Sequence, residues 1–151
     1  MHLRRLAVTA TAAAAAALTV APQALAQAVP GAAEHRPADH LTVTVADSGR
    51  AATDGTFELY CHPTSGDHPR AEAACDGLDE LTTWGKDPFA PVGSGTRCTM
   101  QYGGPVSAHV RGWWAGKRVN AHFNRENGCE MKRWDTLVPL LPRTNIQSQQ
   151  M

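Results

Sequence analysis

Apolar and polar side chains alternate without a break over Leu41-Thr42-Val43-Thr44-Val45, the period of a strand buried on one face. Alternation returns over 56–61, which puts Phe57, Leu59 and Cys61 on one side. The stretch between them, ADSGRAATDG, is rich in turn formers, so the two runs predict an antiparallel pair. HPTSGDHP (62–69) is a turn-rich link in which Asp67 or His68 is placed to cap a helix with Pro69 at its first position. Ala71, Ala74, Cys75, Leu78 and Leu81 follow at helical spacing, with Gly77 inside the run. Residues 82–97 hold Gly and Pro without a period and predict a long loop, a kind of segment that often serves function. Val106, Ala108 and Val110 alternate with Ser107, His109 and Arg111, and a turn over 112–116 leads to another alternating run at 119–123. NRENGC (124–129) is turn chemistry again. A last apolar piece, 137–141, predicts a short strand that Pro139 restricts to an edge or to irregular structure. The order predicts an α+β domain over 41–142, built on one antiparallel sheet.

The ends of the chain change this picture by adding a compartment. Met1-His2-Leu3-Arg4-Arg5 is a short basic head, residues 6–21 are uncharged and Ala-rich, and Ala24-Leu25-Ala26 has the small-x-small form of a cleavage site. The apolar run is short for a bilayer span and meets Pro22 at once, so residues 1–26 predict a secretory signal and a secreted, extracellular protein. Residues 27–40 lack any period and predict a flexible arm; residues 143–151 form a polar tail with Gln147, Gln149 and Gln150. Removing Arg4 and Arg5 from the 14 basic side chains leaves 12 against 14 acidic ones. That balance is no footprint for nucleic acid or for an anionic membrane.

Four cysteines, Cys61, Cys75, Cys98 and Cys129, in a small exported chain predict two disulfides. Three pairings exist on paper, and chain order favours Cys61 with Cys75 and Cys98 with Cys129. The spacing of Cys and His lacks CxxC and HxxxH, so no metal and no cofactor is expected. Ser94 sits between Gly93 and Gly95 but outside GxSxG, while His62, His68, His109 and His122 fall in predicted loops and on outward strand faces. No set of catalytic nucleophile, base and acid emerges from them. RGWWAGKR (111–118) mixes aromatic and basic side chains, but reads as a hairpin with Trp113 or Trp114 packed on the sheet. TRCTMQYGGP (96–105) is different: a Gly/Pro-bounded loop holding Met100 in the open, two residues after a cysteine. An extended segment pinned by a disulfide is what a substrate-mimicking protease inhibitor presents, because tethering lowers the entropy lost on binding.

LYCHPTSGDHPRAEAAC, RCTMQY, GPVSAHVRGWWAGKRV and the F-N-x-x-N-G-C-E-M pattern from Phe123 to Met131 resemble the Streptomyces subtilisin inhibitor family. The resemblance implies a single five-stranded antiparallel sheet with two helices on one face, disulfides Cys61–Cys75 and Cys98–Cys129, and a homodimer. It implies an inhibitor of subtilisin-like serine proteases, with no catalysis of its own. The reactive bond would be Met100–Gln101, with Met100 in the protease's specificity pocket, Cys98, Thr99 and Tyr102 in contact with the protease, and Asn127 steadying the loop. Tyr102-Gly103-Gly104-Pro105 replaces the family's usual Y-D-P and is one residue longer, which predicts a looser loop. Thr99 stands where proline is common. The rival expectation is a binding module of the same fold, a transglutaminase substrate or partner acting through Gln147, Gln149 and Gln150.

Overall fold

The computed structural model describes residues 38–144, so the signal segment, most of the arm and the glutamines of the tail lie outside the described residues. In chain order the elements are β1 (His40–Ala46), β2 (Gly55–Tyr60), a two-residue β3 (Ser65–Gly66), α1 (Ala71–Thr82), β4 (Ser107–Trp114), β5 (Lys117–Phe123) and α2 (Gly128–Thr136). The strands form one antiparallel sheet in the order β3-β2-β1-β4-β5. β1 lies at its centre because Leu41, Val43 and Val45 face the core while β2 and β4 pair along its two edges.

Alternation decides which face is covered. Leu41, Val43, Leu59, Val110 and Phe123 are buried from the sheet side, against Ala74, Cys75 and Leu78 of α1 and Trp134 of α2. Both helices therefore cover the same face. Burying one such Leu, Val or Phe side chain contributes about 1.5–3 kcal/mol, so this layer is the main source of stability. The opposite face carries Thr42, Thr44, Glu58, His109, Arg111 and His122 and is polar, with Tyr60 and Trp113 partly exposed among them. The Cys61–Cys75 bridge joins the end of β2 to α1, and Cys98–Cys129 joins the long loop to α2.

Four expectations are revised. α1 begins at Ala71 with Arg70 as its N-terminal flank and no side-chain cap. Asp67 is spent accepting the Glu58 N–H at 2.6 Å, and His68 donates from Nε2 to the Leu140 carbonyl at 2.9 Å, so neither serves as the expected cap. The turn expected over 112–116 shrinks to Ala115-Gly116, both with positive φ as a tight hairpin turn requires, and β4 continues through both tryptophans. Trp114 is the buried one, its Nε1 donating to Thr82 Oγ1 at 2.7 Å. Residues 124–129 are not turn alone, since Asn127 caps α2. Residues 137–141 are not a strand. Leu137, Leu140 and Leu141 are buried at helical spacing, and the Leu141 N–H reaches back to the Leu137 carbonyl at 2.9 Å, so the segment extends the core from the end of α2.

Candidate functional site

Between α1 and β4 the chain runs from Thr83 to Val106 with only a short 3-10 turn, yet it is fixed at intervals. Phe89 is buried in the core, and the Arg133 guanidinium of α2 donates to the carbonyls of Phe89 and Ala90 at 3.1 and 2.8 Å. The same guanidinium lies 4.0 Å over the Phe123 ring, which locks it in place. Cys98 is bridged to Cys129, and one residue on, the Thr99 carbonyl accepts the Gly128 N–H at 3.1 Å. On the far side, the Gly103 N–H donates to the Arg125 carbonyl at 2.7 Å, and Val106 is buried again.

Only Met100, Gln101 and Tyr102 lie between those two hydrogen bonds. Met100 is 94% exposed and Tyr102 62% exposed. A methionine held in water gives up the burial that usually places it in a core. It is offered outward by anchors on either side.

The platform under the loop is the N-terminus of α2. Asn127 Oδ1 accepts the backbone N–H groups of Cys129 and Glu130, each at 3.0 Å, and so satisfies donors that the first helical turn leaves unpaired. The direct bond from this turn to the loop comes from the Gly128 backbone. Close approach explains the glycine, since a Cβ there would stand 2.1 Å from Thr99 Oγ1. Gly103 is buried as well, and a Cβ on it would lie 2.9 Å from Met131 Sδ and 3.0 Å from Arg125 Cβ. The extra glycine that predicts a looser loop is therefore packed on α2. Arg125, Gly128 and Arg133 were not singled out by the pattern of the sequence, although Asn127 followed three residues later by Glu130 is a legible capping signal.

The subtilisin inhibitor-like family model matches residues 37–127. The chain belongs to that family. It is 34% identical over 97 residues to subtilisin inhibitor-like protein 1 of Streptomyces cacaoi, covering 62% of this chain and 84% of the relative. It is 40% identical over 83 residues to the subtilisin inhibitor of Streptomyces albogriseolus, covering 54% and 55% of the two chains. A similar solved structure is Streptomyces caespitosus sermetstatin in complex with Bacillus licheniformis subtilisin, at 26% identity and a TM-score of 0.39, covering 62% of this chain and 88% of that one.

The remaining candidates fall elsewhere. Both cysteine pairs are disulfides, so none of the four sulfurs is a thiolate ligand or nucleophile. Ser94 lies in an exposed turn of the long loop. His109 and His122 stack on the open face of the sheet with ring centroids 3.8 Å apart. His62 stands between Asp39 and Asp79, at 2.9 and 3.0 Å. Against expectation, His68 is buried, beneath residues 139–142.

Proposed function

We propose that the mature chain is a secreted inhibitor of subtilisin-like serine endopeptidases that binds as a substrate mimic. Met100 enters the specificity pocket, the backbone from Cys98 to Tyr102 pairs with the substrate groove, and Met100–Gln101 is the bond presented for cleavage. The observation that carries this reading is an exposed Met100 bounded on one side by a hydrogen bond to the first residue of α2 and on the other by one to the link that precedes that helix. A loop already held in its bound shape loses little entropy on association, so affinity is gained without new contacts. If the bond is cut, the disulfide and the Thr99 and Gly103 anchors keep both new ends in place. Resealing then competes with release, and the protease stays occupied. No cofactor or metal is needed for such a mechanism.

The names of the relatives support the class of partner, since one is called a subtilisin inhibitor and the other subtilisin inhibitor-like. Gln147, Gln149 and Gln150, on which the transglutaminase reading rests, lie outside the described residues. As a further part of the proposal, the chain pairs with a second copy through the open face of the sheet, where Tyr60 and Trp113 are 39% and 38% exposed. Sedimentation as a monomer at micromolar concentration would remove that part. The main test is titration of subtilisin with the purified chain in the presence of a chromogenic peptide substrate. A stoichiometric loss of activity is expected, and full activity at excess inhibitor would overturn the reading.

A further inference from the structure

Arg125 is the one arginine in the core of the described residues, at 5% exposure. Its Nη1 reaches Asp135 Oδ1 at 2.5 Å, across the length of α2, while that aspartate is 62% exposed at its side chain. The Arg125 Nε finds no acceptor among the described residues. Such a group is a poor choice for stability. Burying a guanidinium costs desolvation that a single, half-solvated ion pair repays weakly, and an apolar side chain of similar length is often as good or better. The placement of its backbone offers a different reason. Residues 124–126 form a short irregular link between β5 and α2, and the Arg125 carbonyl in that link accepts the Gly103 N–H at 2.7 Å. Arg125 Cβ also forms the floor on which Gly103 sits, beside Met131.

We propose that Arg125 is a positioning residue for the half of the loop that follows the reactive bond. Its side chain, clamped to Asp135 near the far end of α2, fixes the link so that its carbonyl points at Gly103. This rests on the inhibitor reading above. Hydrolysis adds water across Met100–Gln101, giving a Met100 carboxylate and a Gln101 ammonium, and resealing expels the same water. The Met100 side is held through the Cys98 disulfide and the Thr99 carbonyl. The Gln101 side depends on Gly103. Loss of the Arg125 clamp therefore lets the ammonium end drift, which favours the cut form over the sealed one without touching the specificity residue.

The test uses Arg125→Met, which keeps an apolar stem and removes the charge, with amide hydrogen exchange read at Gly103 and at the core strands. The Gly103 amide should exchange about fivefold to tenfold faster, the scale of one hydrogen bond, while the amides of Val43 and Val110 stay as protected as in the parent. With catalytic subtilisin, the steady ratio of cut to intact inhibitor should rise by a similar factor. Unchanged exchange at Gly103 overturns the inference, and so does an equal loss of protection in the core, which would make Arg125 merely structural. If Arg125→Met does not fold, Asp135→Asn keeps the arginine and carries the same prediction. A parent chain that fails to titrate subtilisin sinks the inhibitor reading, whereas a parent that titrates beside a variant with unchanged exchange and cleavage sinks only this inference.

Discussion

Met100 has almost no intramolecular contact to lose, so changing it tests recognition with little disturbance of the fold. A protease pocket reads that side chain by shape and charge. Met100→Lys should weaken subtilisin binding by at least about 2 kcal/mol, roughly thirtyfold, and create binding to a trypsin-like enzyme whose pocket carries a carboxylate. Unchanged inhibition constants for both enzymes would place the reactive bond elsewhere. Gly128 tests the seat rather than the pocket. An alanine there sets its Cβ 2.1 Å from Thr99 Oγ1, so the loop has to lift or the threonine has to turn. Gly128→Ala should weaken inhibition about fivefold to tenfold through loss of the bond to the Thr99 carbonyl. Adding Thr99→Ala should restore most of it, because the atom struck is then gone. Equal affinity for Gly128→Ala and the parent would show that this contact contributes nothing. Asn127 acts one step further back: its carboxamide oxygen Oδ1 accepts the N–H groups of Cys129 and Glu130 and so fixes the turn from which the Gly128 N–H points.

At the scale of elements, β1, β2, β4 and β5 were legible because each turns alternate side chains inward at period two, as in 41–45 and 106–110. The two-residue β3, exposed at both positions, shows no such face and lay hidden in the turn-rich link. α2 was not legible from its pattern. Gly128, Cys129 and Glu130 open it behind a cluster of turn formers, and Trp134 is its single buried residue, so no apolar stripe announces it. The piece 137–141 misled for the opposite reason: a short apolar run has no period long enough to separate strand from helical spacing. The long loop was recognised by its Gly and Pro, while its anchors were hidden, since backbone bonds to Gly128 and Arg125 leave no mark on side-chain pattern. The disulfide was the visible anchor. It spans 31 residues and joins the loop to α2, and bridges of this kind typically stabilise a fold by about 2–4 kcal/mol. Cys98→Ser with Cys129→Ser should turn the inhibitor into a substrate that is hydrolysed at Met100–Gln101 and released, under conditions where circular dichroism still reports a folded domain. Durable inhibition by the folded double mutant would mean that the Thr99 and Gly103 bonds hold the loop unaided.

For the whole molecule, two histidines join distant parts of the chain and give stability a dependence on pH from both sides. His62 links Asp39, just before β1, to Asp79 of α1, and Trp114 lies beside its ring. Hydrogen bonds to Asp79 and then Asp39 raise its pKa above the ordinary value of 6.5. The charged form is the one the fold favours, so its contribution is complete below 6.5 and is lost as pH rises through the raised value. With its side chain 53% exposed, the effect is screened and modest. His68 behaves oppositely. It is buried between α1 and the carbonyl of Leu140, its Nδ1 accepting the Arg70 N–H at 3.2 Å, a bond that only the neutral ring makes. Burial is the chief cause that lowers its pKa from 6.5; the Leu140 carbonyl and Asp67 oppose the shift, and Arg70 adds to it. Its contribution is therefore present above 6.5 and is lost as pH falls through the lowered value. The thermal midpoint should pass through a maximum between about pH 5 and 8, where histidine charge changes. His62→Asn should flatten the alkaline side and His68→Gln the acid side, each leaving the other limb in place. Scanning calorimetry across that window decides it: if either variant keeps the limb assigned to its histidine, that ring is not what links the fold to the proton concentration.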